Sequence, residues 1–215
     1  MEKIILDLEF CKVSPKFAEQ REICKEEIIQ IGAVKLDEKD QIVDKFNEYV
    51  KPEFSRISKK VEKLTNISNE MLEGKRNFTE VIGDFIKWTG DKDTTVYSWS
   101  MEDKVVIERE RKLKGVNDKR LENLLNNWVD LQQIIDNILC VSQNLSLDNV
   151  LKGINVQFVG QKHSAIDDAL NTAFIYQTIQ DRDLFEKKMR PLVEIMQPTE
   201  SLTFSMGNLL QGILV

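Results

Sequence analysis

The apolar positions near the start of the chain lie next to one another instead of alternating with polar ones. Residues 3–10 read KIILDLEF, a nearly continuous apolar run that is typical of a strand buried on both faces. Two further strands are predicted at residues 28–36 and 42–50, separated by a polar turn at residues 37–40. The pattern therefore predicts a sheet that begins with one buried strand and a hairpin.

After the hairpin the apolar spacing becomes mostly helical. Helices are predicted at residues 68–73, 78–86, 102–113, 121–128, 146–151 and 164–179. Short strands are predicted at residues 94–99 and 129–131, and the polar segment of residues 12–25, which contains Pro15, is predicted to be a loop. A sheet led by a hairpin and flanked by helices indicates a mixed α/β domain.

Composition narrows the class of protein. The chain has 215 residues, 41% of them hydrophobic and 31% charged, which is typical of a globular domain with its own core. The net charge of −6 argues against a protein that coats nucleic acid through bulk positive charge, although it allows a local basic groove. An acidic balance also leaves carboxylate clusters available to bind divalent metal ions.

The cysteines and the apolar runs indicate the cellular compartment that is expected for the protein. Three cysteines without a CxxC pair, together with one histidine, exclude a zinc finger and a disulfide framework. They favour a reducing, cytoplasmic compartment. No signal peptide is expected in MEKIILDLEF, and no apolar run is long enough to span a membrane, so a membrane partner is not expected.

Two carboxylates lie near the end of the first predicted strand. Asp7 and Glu9 are two residues apart, and because side chains alternate along a strand, both point to one face. Like charges on a buried strand repel each other and are costly to desolvate unless a cation neutralises them. Mg²⁺ prefers such oxygen ligands. The pair indicates a metal site, with an exposed strand end as the alternative interpretation.

Two later segments carry further candidate residues. His163 precedes Asp168 by five residues where a long helix is predicted to begin. Asp103 lies in the first turn of another predicted helix, four residues after Trp99, which ends a strand. Acidic residues in a first turn also stabilise the helix dipole, so each segment taken alone has a purely structural explanation.

Together these segments resemble the motifs of the DEDDh exonucleases, the DnaQ-like branch of the ribonuclease-H-like fold. DLEF at residues 7–10 resembles the first motif and Asp103 the second. HSAIDDALNTA at residues 163–173 resembles the third, in which the family spaces His and Asp as H-x4-D. The resemblance extends over about residues 3–180 and implies a ribonuclease-H-like α/β fold with a mixed central sheet flanked by helices.

The resemblance also implies a mechanism. Two divalent cations, Mg²⁺ or Mn²⁺, are expected to be held by four carboxylates, namely Asp7, Glu9, Asp103 and Asp168. Asp7 is expected to bridge both ions. His163 is expected to be the general base that deprotonates the attacking water, because its unperturbed pKa of about 6.5 suits that role near neutral pH. By the family spacing Asp168 is the ligand, and Asp167 caps the helix.

The activity implied by the resemblance is the release of nucleoside 5′-monophosphates from the 3′ end of single-stranded nucleic acid. The predicted substrate contacts are Leu8, Phe10 and Trp99. The two aromatic rings would stack on terminal bases, with core packing as the alternative for both. Proofreading members follow the first motif with Thr-Thr-Gly, whereas this chain has Phe10-Cys11-Lys12, which favours RNA over DNA. The alternatives are a DNA-directed proofreading exonuclease and a non-catalytic nucleic-acid-binding or adaptor protein that retains the fold.

The chain length, together with the lack of a repeat or linker that would divide the chain, predicts one domain. Residues 1–197 are expected to form a single exonuclease domain, and residues 198–215 a C-terminal extension whose apolar end either packs on its own core or docks a partner. A homodimer or a larger assembly is compatible with this arrangement. The segment of residues 11–26 is a candidate to close over substrate.

Overall fold

The computed structural model describes residues 2–90 and 92–197. These residues form two compact units, one of residues 2–131 and 158–174 and the other of residues 132–157 and 175–197. The predicted extension of residues 198–215 lies outside the described residues. The expectation of one exonuclease domain over residues 1–197 stays a prediction.

The first unit is built on a five-stranded mixed sheet with the order β3-β2-β1-β4-β5. Its strands are β1 (Glu2–Lys12), β2 (Glu26–Leu36), β3 (Ile42–Tyr49), β4 (Thr94–Ser98) and β5 (Trp128–Asp130). Strands β1, β2 and β3 pair antiparallel, whereas β4 runs parallel to β1, and β5 parallel to β4. Each strand was predicted from the apolar pattern, and the mixed central sheet flanked by helices is confirmed.

Eleven α-helices lie in the described part of the chain. They are α1 (Ala18–Ile23), α2 (Lys59–Thr65), α3 (Asn69–Leu72), α4 (Phe78–Thr89), α5 (Glu102–Leu113), α6 (Lys119–Asn126), α7 (Leu131–Leu139), α8 (Leu147–Gly153), α9 (Ala165–Gln180), α10 (Arg182–Leu184) and α11 (Arg190–Met196). A π-helical turn, Phe185–Met189, separates α10 from α11. The six helices predicted from the sequence are present within a few residues of their expected ends.

The predicted loop of residues 12–25 is wrong in part. Strand β1 continues to Lys12, and helix α1 occupies residues 18–23. No residue of α1 is buried, so the segment lacks the apolar period that reveals a surface helix in a sequence. The edge of the Phe17 ring packs on Phe54, with the ring centroids 5.3 Å apart, which attaches this segment to the unit.

The two faces of β1 serve different purposes. Ile4, Leu6 and Leu8 belong to the main core, together with the buried face of α4. In that core Phe85 of α4 packs edge-to-face against Phe46 of β3 at 5.3 Å. Asp7, one residue out of step with the core positions, lies on the opposite face, as the alternation of a strand requires.

Helices α8 and α11 and most of α7 belong to the second unit. Near α7, the side chain of Gln132 donates to the carbonyl oxygen of Leu145 at 2.7 Å, and Asp136 accepts from the N–H of the same residue at 3.3 Å. Gly153, at the end of α8, lies against Leu192 of α11, so closely that a Cβ would be 2.8 Å from Leu192 Cδ2. Among the described helices none is long and apolar enough to cross a bilayer.

Helix α4 begins with a capping box whose contribution to stability can be measured. Asn77 accepts from the N–H of Glu80, and the Glu80 side chain accepts in return from the N–H of Asn77, which forms a capping box. Asn77→Ala is expected to lower the free energy of unfolding by about 1 kcal/mol in urea titrations. Thr79→Ala, an exposed change in the same turn, is the control, and an equal loss in both variants would contradict the capping role.

Candidate active site

Strand β1 extends beyond its parallel neighbour, and this exposes one of its backbone edges. Its pairing with β4 covers only Glu2 to Ile5. Farther along, the N–H of Leu8 donates to Asp103 Oδ1 at 3.1 Å. Asp103 is in the first turn of α5 and only 6% exposed. A carboxylate of α5 is therefore fixed directly beside the strand that carries Asp7 and Glu9.

A β-bulge follows these two carboxylates. Glu9 pairs with Gln30 of β2, whereas Phe10 pairs with Ile28, so Ile29 is an extra residue on β2. Bulges bend a strand and change the direction of its side chains, and they are frequent beside active sites.

The N-terminus of α9 lies very close to the sheet, opposite Asp7. Asp7 pairs with Gly32, and a Cβ on Gly32 would be 2.2 Å from the backbone carbon of Ala165 and 2.2 Å from the nitrogen of Ile166. Only glycine therefore fits at this position. The buried side chain of Gln30 adds a hydrogen bond, since its Oε1 accepts from the N–H of Ala165 at 3.1 Å.

His163 and Asp168 are brought together by a turn ahead of α9. His163 has a φ of +61°, a left-handed conformation that is uncommon for a residue other than glycine. Its backbone N–H donates to Asp168 Oδ2 at 2.8 Å. A ligand atom of each of Glu9, His163 and Asp168 lies within 4.8 Å of the others. The first and third candidate motifs therefore meet in space.

Asp167 points toward the preceding loop. It accepts from the N–H of Gln161 at 3.0 Å, and a Cβ on Gly160 would lie 2.5 Å from its carboxyl carbon. Asn171, one turn farther along α9, donates to the carbonyl oxygens of Val159 and Asp167 and accepts from the N–H of Val159. These bonds fix the loop that carries His163.

The candidate acids share a low-dielectric, negatively charged setting. Burial, then the charges of Asp103, Asp168 and Glu9, raises the pKa of Asp7 well above its usual value. Burial, followed by the charges of Asp168 and Asp103, raises the pKa of Glu9 to about 8. Burial is also the main cause that raises the pKa of Asp103 to about 7 and that of Asp168 to about 6. Each of these groups holds its proton more tightly than a free carboxyl group does.

These donors fit a divalent cation. The charges of neighbouring acids raise the pKa values of Asp7 and Glu9, which marks an excess of negative charge that a cation relieves. Carboxylate oxygens are also the ligands that Mg²⁺ prefers. Oxygen atoms of Glu9 and Asp168 lie close enough together to share one ion, and a ring nitrogen of His163 lies within 4.8 Å of both.

The predicted substrate contacts are buried to different degrees. Leu8 is 4% exposed and part of the main core, and Trp99 is 9% exposed. Phe10 is half-buried and packs against the main core. A role of these three residues in substrate binding stays a prediction.

Sequence reasoning missed Gly32, Gln30 and Asn171. The segment EIIQIGAV contains the first two and reads as an ordinary buried strand. A signal was available there, since Gln30 and Gly32 interrupt an apolar run where a side chain for packing is expected.

The mixed five-stranded sheet flanked by helices is that of a ribonuclease-H-like protein, and its central strand carries a cluster of neighbouring acids. The chain belongs to the RNase T family of exonucleases, whose sequence model, described as "Exonuclease", matches residues 4–176. The resemblance to the DEDDh exonucleases is thereby confirmed at the level of the family.

Three relatives illustrate the similarity. The PolC-type DNA polymerase III of Thermotoga maritima is 28% identical over 173 residues, which cover 80% of this chain but only 11% of the polymerase. The probable 3′-5′ exonuclease KapD of Bacillus subtilis is 23% identical over 201 residues, covering 88% of this chain and 90% of KapD. The nuclease domain of 3′hExo, a DEDDh family member bound to rAMP, superposes with a TM-score of 0.71 at 23% identity, covering 84% of this chain and 92% of that domain.

The close approach at Gly32 is testable. Gly32→Ala is expected to cost roughly 2 kcal/mol or more of unfolding free energy, because the added methyl group meets the α9 backbone. Gly83→Ala in α4 is the matched control. It has open space around its Cβ position and is expected to stabilise the protein by about 0.5–1 kcal/mol. Urea unfolding measures both, and a neutral Gly32→Ala would contradict the packing.

The raised pKa values predict that, without metal, the free energy of unfolding depends on pH in an unusual direction. Unfolded acids titrate near pH 4, whereas the folded site holds protons up to about pH 6 to 8. The folded state therefore binds more protons in this window, so its stability falls as pH rises.

In EDTA we expect the free energy of unfolding to be roughly 2 kcal/mol lower at pH 8.5 than at pH 5.5. Asp7→Asn removes one repelling charge and should reduce this difference, and saturating Mn²⁺ should remove it in the wild type. Thermal unfolding followed by circular dichroism measures each case. A metal-free wild type whose stability rises across this window would contradict the electrostatics.

Proposed function

We propose that the protein is a metal-dependent 3′→5′ exonuclease that releases nucleoside 5′-monophosphates from single-stranded nucleic acid, with RNA favoured over DNA. The observation that carries the proposal is the convergence of Glu9, His163 and Asp168 within one metal-sized group, beside Asp7 and Asp103. A set of acids with one histidine suits hydrolysis of a phosphodiester by water.

The carboxylates hold the cations in this proposal. Two divalent ions, Mg²⁺ or Mn²⁺, would be held by four side chains: Asp7, Glu9, Asp103 and Asp168. When bound, the ions neutralise the acidic site, promote ionisation of water and stabilise charge on the leaving oxygen. The backbone hydrogen bond from Leu8 orients Asp103 for this role, and that from His163 orients Asp168.

His163 takes the proton of the attacking water. Burial, then the charge of Lys162, lowers the pKa of His163, so the imidazole is neutral at pH 7 and able to accept a proton. Its bond to Asp168 uses the backbone N–H and not the imidazole ring. The turn therefore fixes the backbone of His163, and the unprotonated nitrogen of the neutral imidazole is available to accept a proton.

The preference for RNA rests on two observations. DLEF is followed by Phe10-Cys11-Lys12 in place of the Thr-Thr-Gly of proofreading members, and the similar nuclease domain of 3′hExo was solved bound to rAMP. The similarity to PolC-type DNA polymerases favours the second candidate, a DNA-directed proofreading exonuclease. A non-catalytic binding or adaptor protein is disfavoured because all five candidate residues are present: Asp7, Glu9, Asp103, His163 and Asp168.

The rest of the proposal concerns the substrate contacts, the cellular compartment and the assembly of the protein. Phe10 and Trp99 are assigned to stacking on the terminal bases, and Leu8 to a further substrate contact. A reducing, cytoplasmic compartment agrees with three free cysteines, two of them buried. A homodimer or larger assembly, and closure of the segment of residues 11–26 over substrate, belong to the same proposal.

The proposal is tested with matched 5′-labelled single-stranded RNA and DNA in Mg²⁺ or Mn²⁺. Wild type is expected to give a ladder that shortens from the 3′ end, faster on RNA, and EDTA should abolish it. Asp7→Asn and His163→Ala are each expected to reduce the rate at least about 100-fold, since each removes a group that acts in the transition state.

Two neighbouring acids supply the control. Asp168→Asn is expected to lose activity as strongly as Asp7→Asn, because a ligand charge is removed. Asp167→Asn keeps an oxygen that accepts from Gln161 and is expected to stay within a few-fold of wild type. A wild type that binds the RNA and the DNA but cleaves neither would support the hypothesis of a non-catalytic adaptor protein and overturn the proposal.

A further inference from the structure

Helix α5 carries a second buried acid on the face that carries Asp103. Glu110 follows Asp103 by seven residues, two helical turns, so the two side chains lie on the same side of the helix. Glu110 is 1% exposed. Its Oε2 accepts from the backbone N–H of Ile28 at 2.7 Å. The helix is therefore attached to strand backbone at two points, to β1 through Asp103 and to β2 through Glu110.

The second attachment lies at the β-bulge. Ile28 is the residue to which the register shifts, since Glu9 pairs with Gln30 and Phe10 with Ile28. A bulge disrupts the ladder and leaves backbone groups that need other partners, and a buried N–H without a partner is costly. Glu110 supplies a hydrogen-bond acceptor for the N–H of Ile28, at the bulge that directly follows Glu9.

A polar cluster around Glu27 lies close enough to Glu110 for its charges to act on that carboxyl group. Glu27, fully buried on β2, accepts from the N–H groups of Glu53 and Phe54, and from the hydroxyl of Ser55. Lys114, one turn after Glu110, lies 3.0 Å from Glu27 Oε1 and 3.1 Å from Glu53 Oε2. The end of α5 is thus linked to β2 by a salt bridge as well as by Glu110.

We propose that Glu110 is a positioning residue for the metal site: by tying α5 to the bulge, it fixes Asp103 relative to Asp7 and Glu9. The proposal rests on the proposed function, because it assigns these three acids as ligands. Glu110 does not itself touch the ions or the substrate. Its effect is on how well the ligands are arranged, so it should appear first as weaker metal binding.

The variants isolate the hydrogen bond that the Glu110 side chain accepts from Ile28. Burial, the largest cause, together with Glu27 and Glu53, raises the pKa of Glu110 to about 8, against the Ile28 hydrogen bond and Lys114. The carboxyl group is therefore largely neutral at pH 7, and Glu110→Gln keeps the shape, the charge state and an accepting oxygen. Glu110→Met keeps the volume without a comparable acceptor, and Glu110→Asp shortens the side chain by one methylene.

The matched control is Asp136→Leu in the second unit. Asp136 is also a buried acid that accepts a backbone N–H, from Leu145 at 3.3 Å, and the candidate ligands all lie in the first unit. Loss of Asp136 is expected to lower the melting temperature without changing the metal requirement. The Asp136→Leu variant therefore shows how a loss of stability alone affects metal binding and cleavage.

The experiment measures Mn²⁺ binding by calorimetry and the Mn²⁺ concentration that gives half-maximal cleavage, both at pH 7 and well below each melting temperature. Glu110→Met is expected to raise both values at least tenfold and Glu110→Asp at least threefold, with Glu110→Gln within twofold of wild type. Unchanged values in the Met and Asp variants would overturn the proposal, as would a Gln variant that is as impaired as the Met variant. A wild type that binds no Mn²⁺ would overturn the proposed function as well, which distinguishes the two failures.

Discussion

The repulsion among carboxylates gathered at the centre of the sheet is the constraint on which the rest of the structure depends. Asp7 and Glu9 lie on a strand whose other face is core, and Asp103 and Asp168 are brought to them from two helices. In a low-dielectric setting such a cluster favours protonated acids, or separation, unless a cation is present. Because the acids repel each other, the surrounding structure must hold them in place.

Backbone hydrogen bonds supply that restraint. Asp103 accepts from Leu8, Asp168 from His163, and the side chain of Gln30 accepts from Ala165 at the start of α9. Each bond joins a side chain to a main-chain group of a strand, a helix start or the turn before α9, so little freedom remains for that side chain to turn away. A rigid, preorganised arrangement of this kind gives a metal its geometry and a general base its direction.

Much of this was predictable from the sequence, for reasons that differ from residue to residue. Asp7 and Glu9 could be found because two acids interrupt an apolar strand, and α5 because its charged face repeats at helical spacing from Glu102 to Leu113. Gly32 and Gln30 could not be placed, because their partners in α9 lie more than a hundred residues away, 135 in the case of Gln30 and Ala165. Helix α1 gave no signal since it buries no residue, and the two compact units are not marked by any linker composition.

The distance along the chain between the parts of the site has a consequence for its synthesis. Leu8 and Asp103 are 95 residues apart, and His163 and Asp168 come later still. During translation a domain forms from its N-terminal end, and contacts between distant segments wait for the later segment to emerge. The growing chain can pair β1, β2 and β3 before His163 and Asp168 have been made. The acid cluster is therefore complete only once the start of α9 has been synthesised, so a shorter nascent chain holds only part of it.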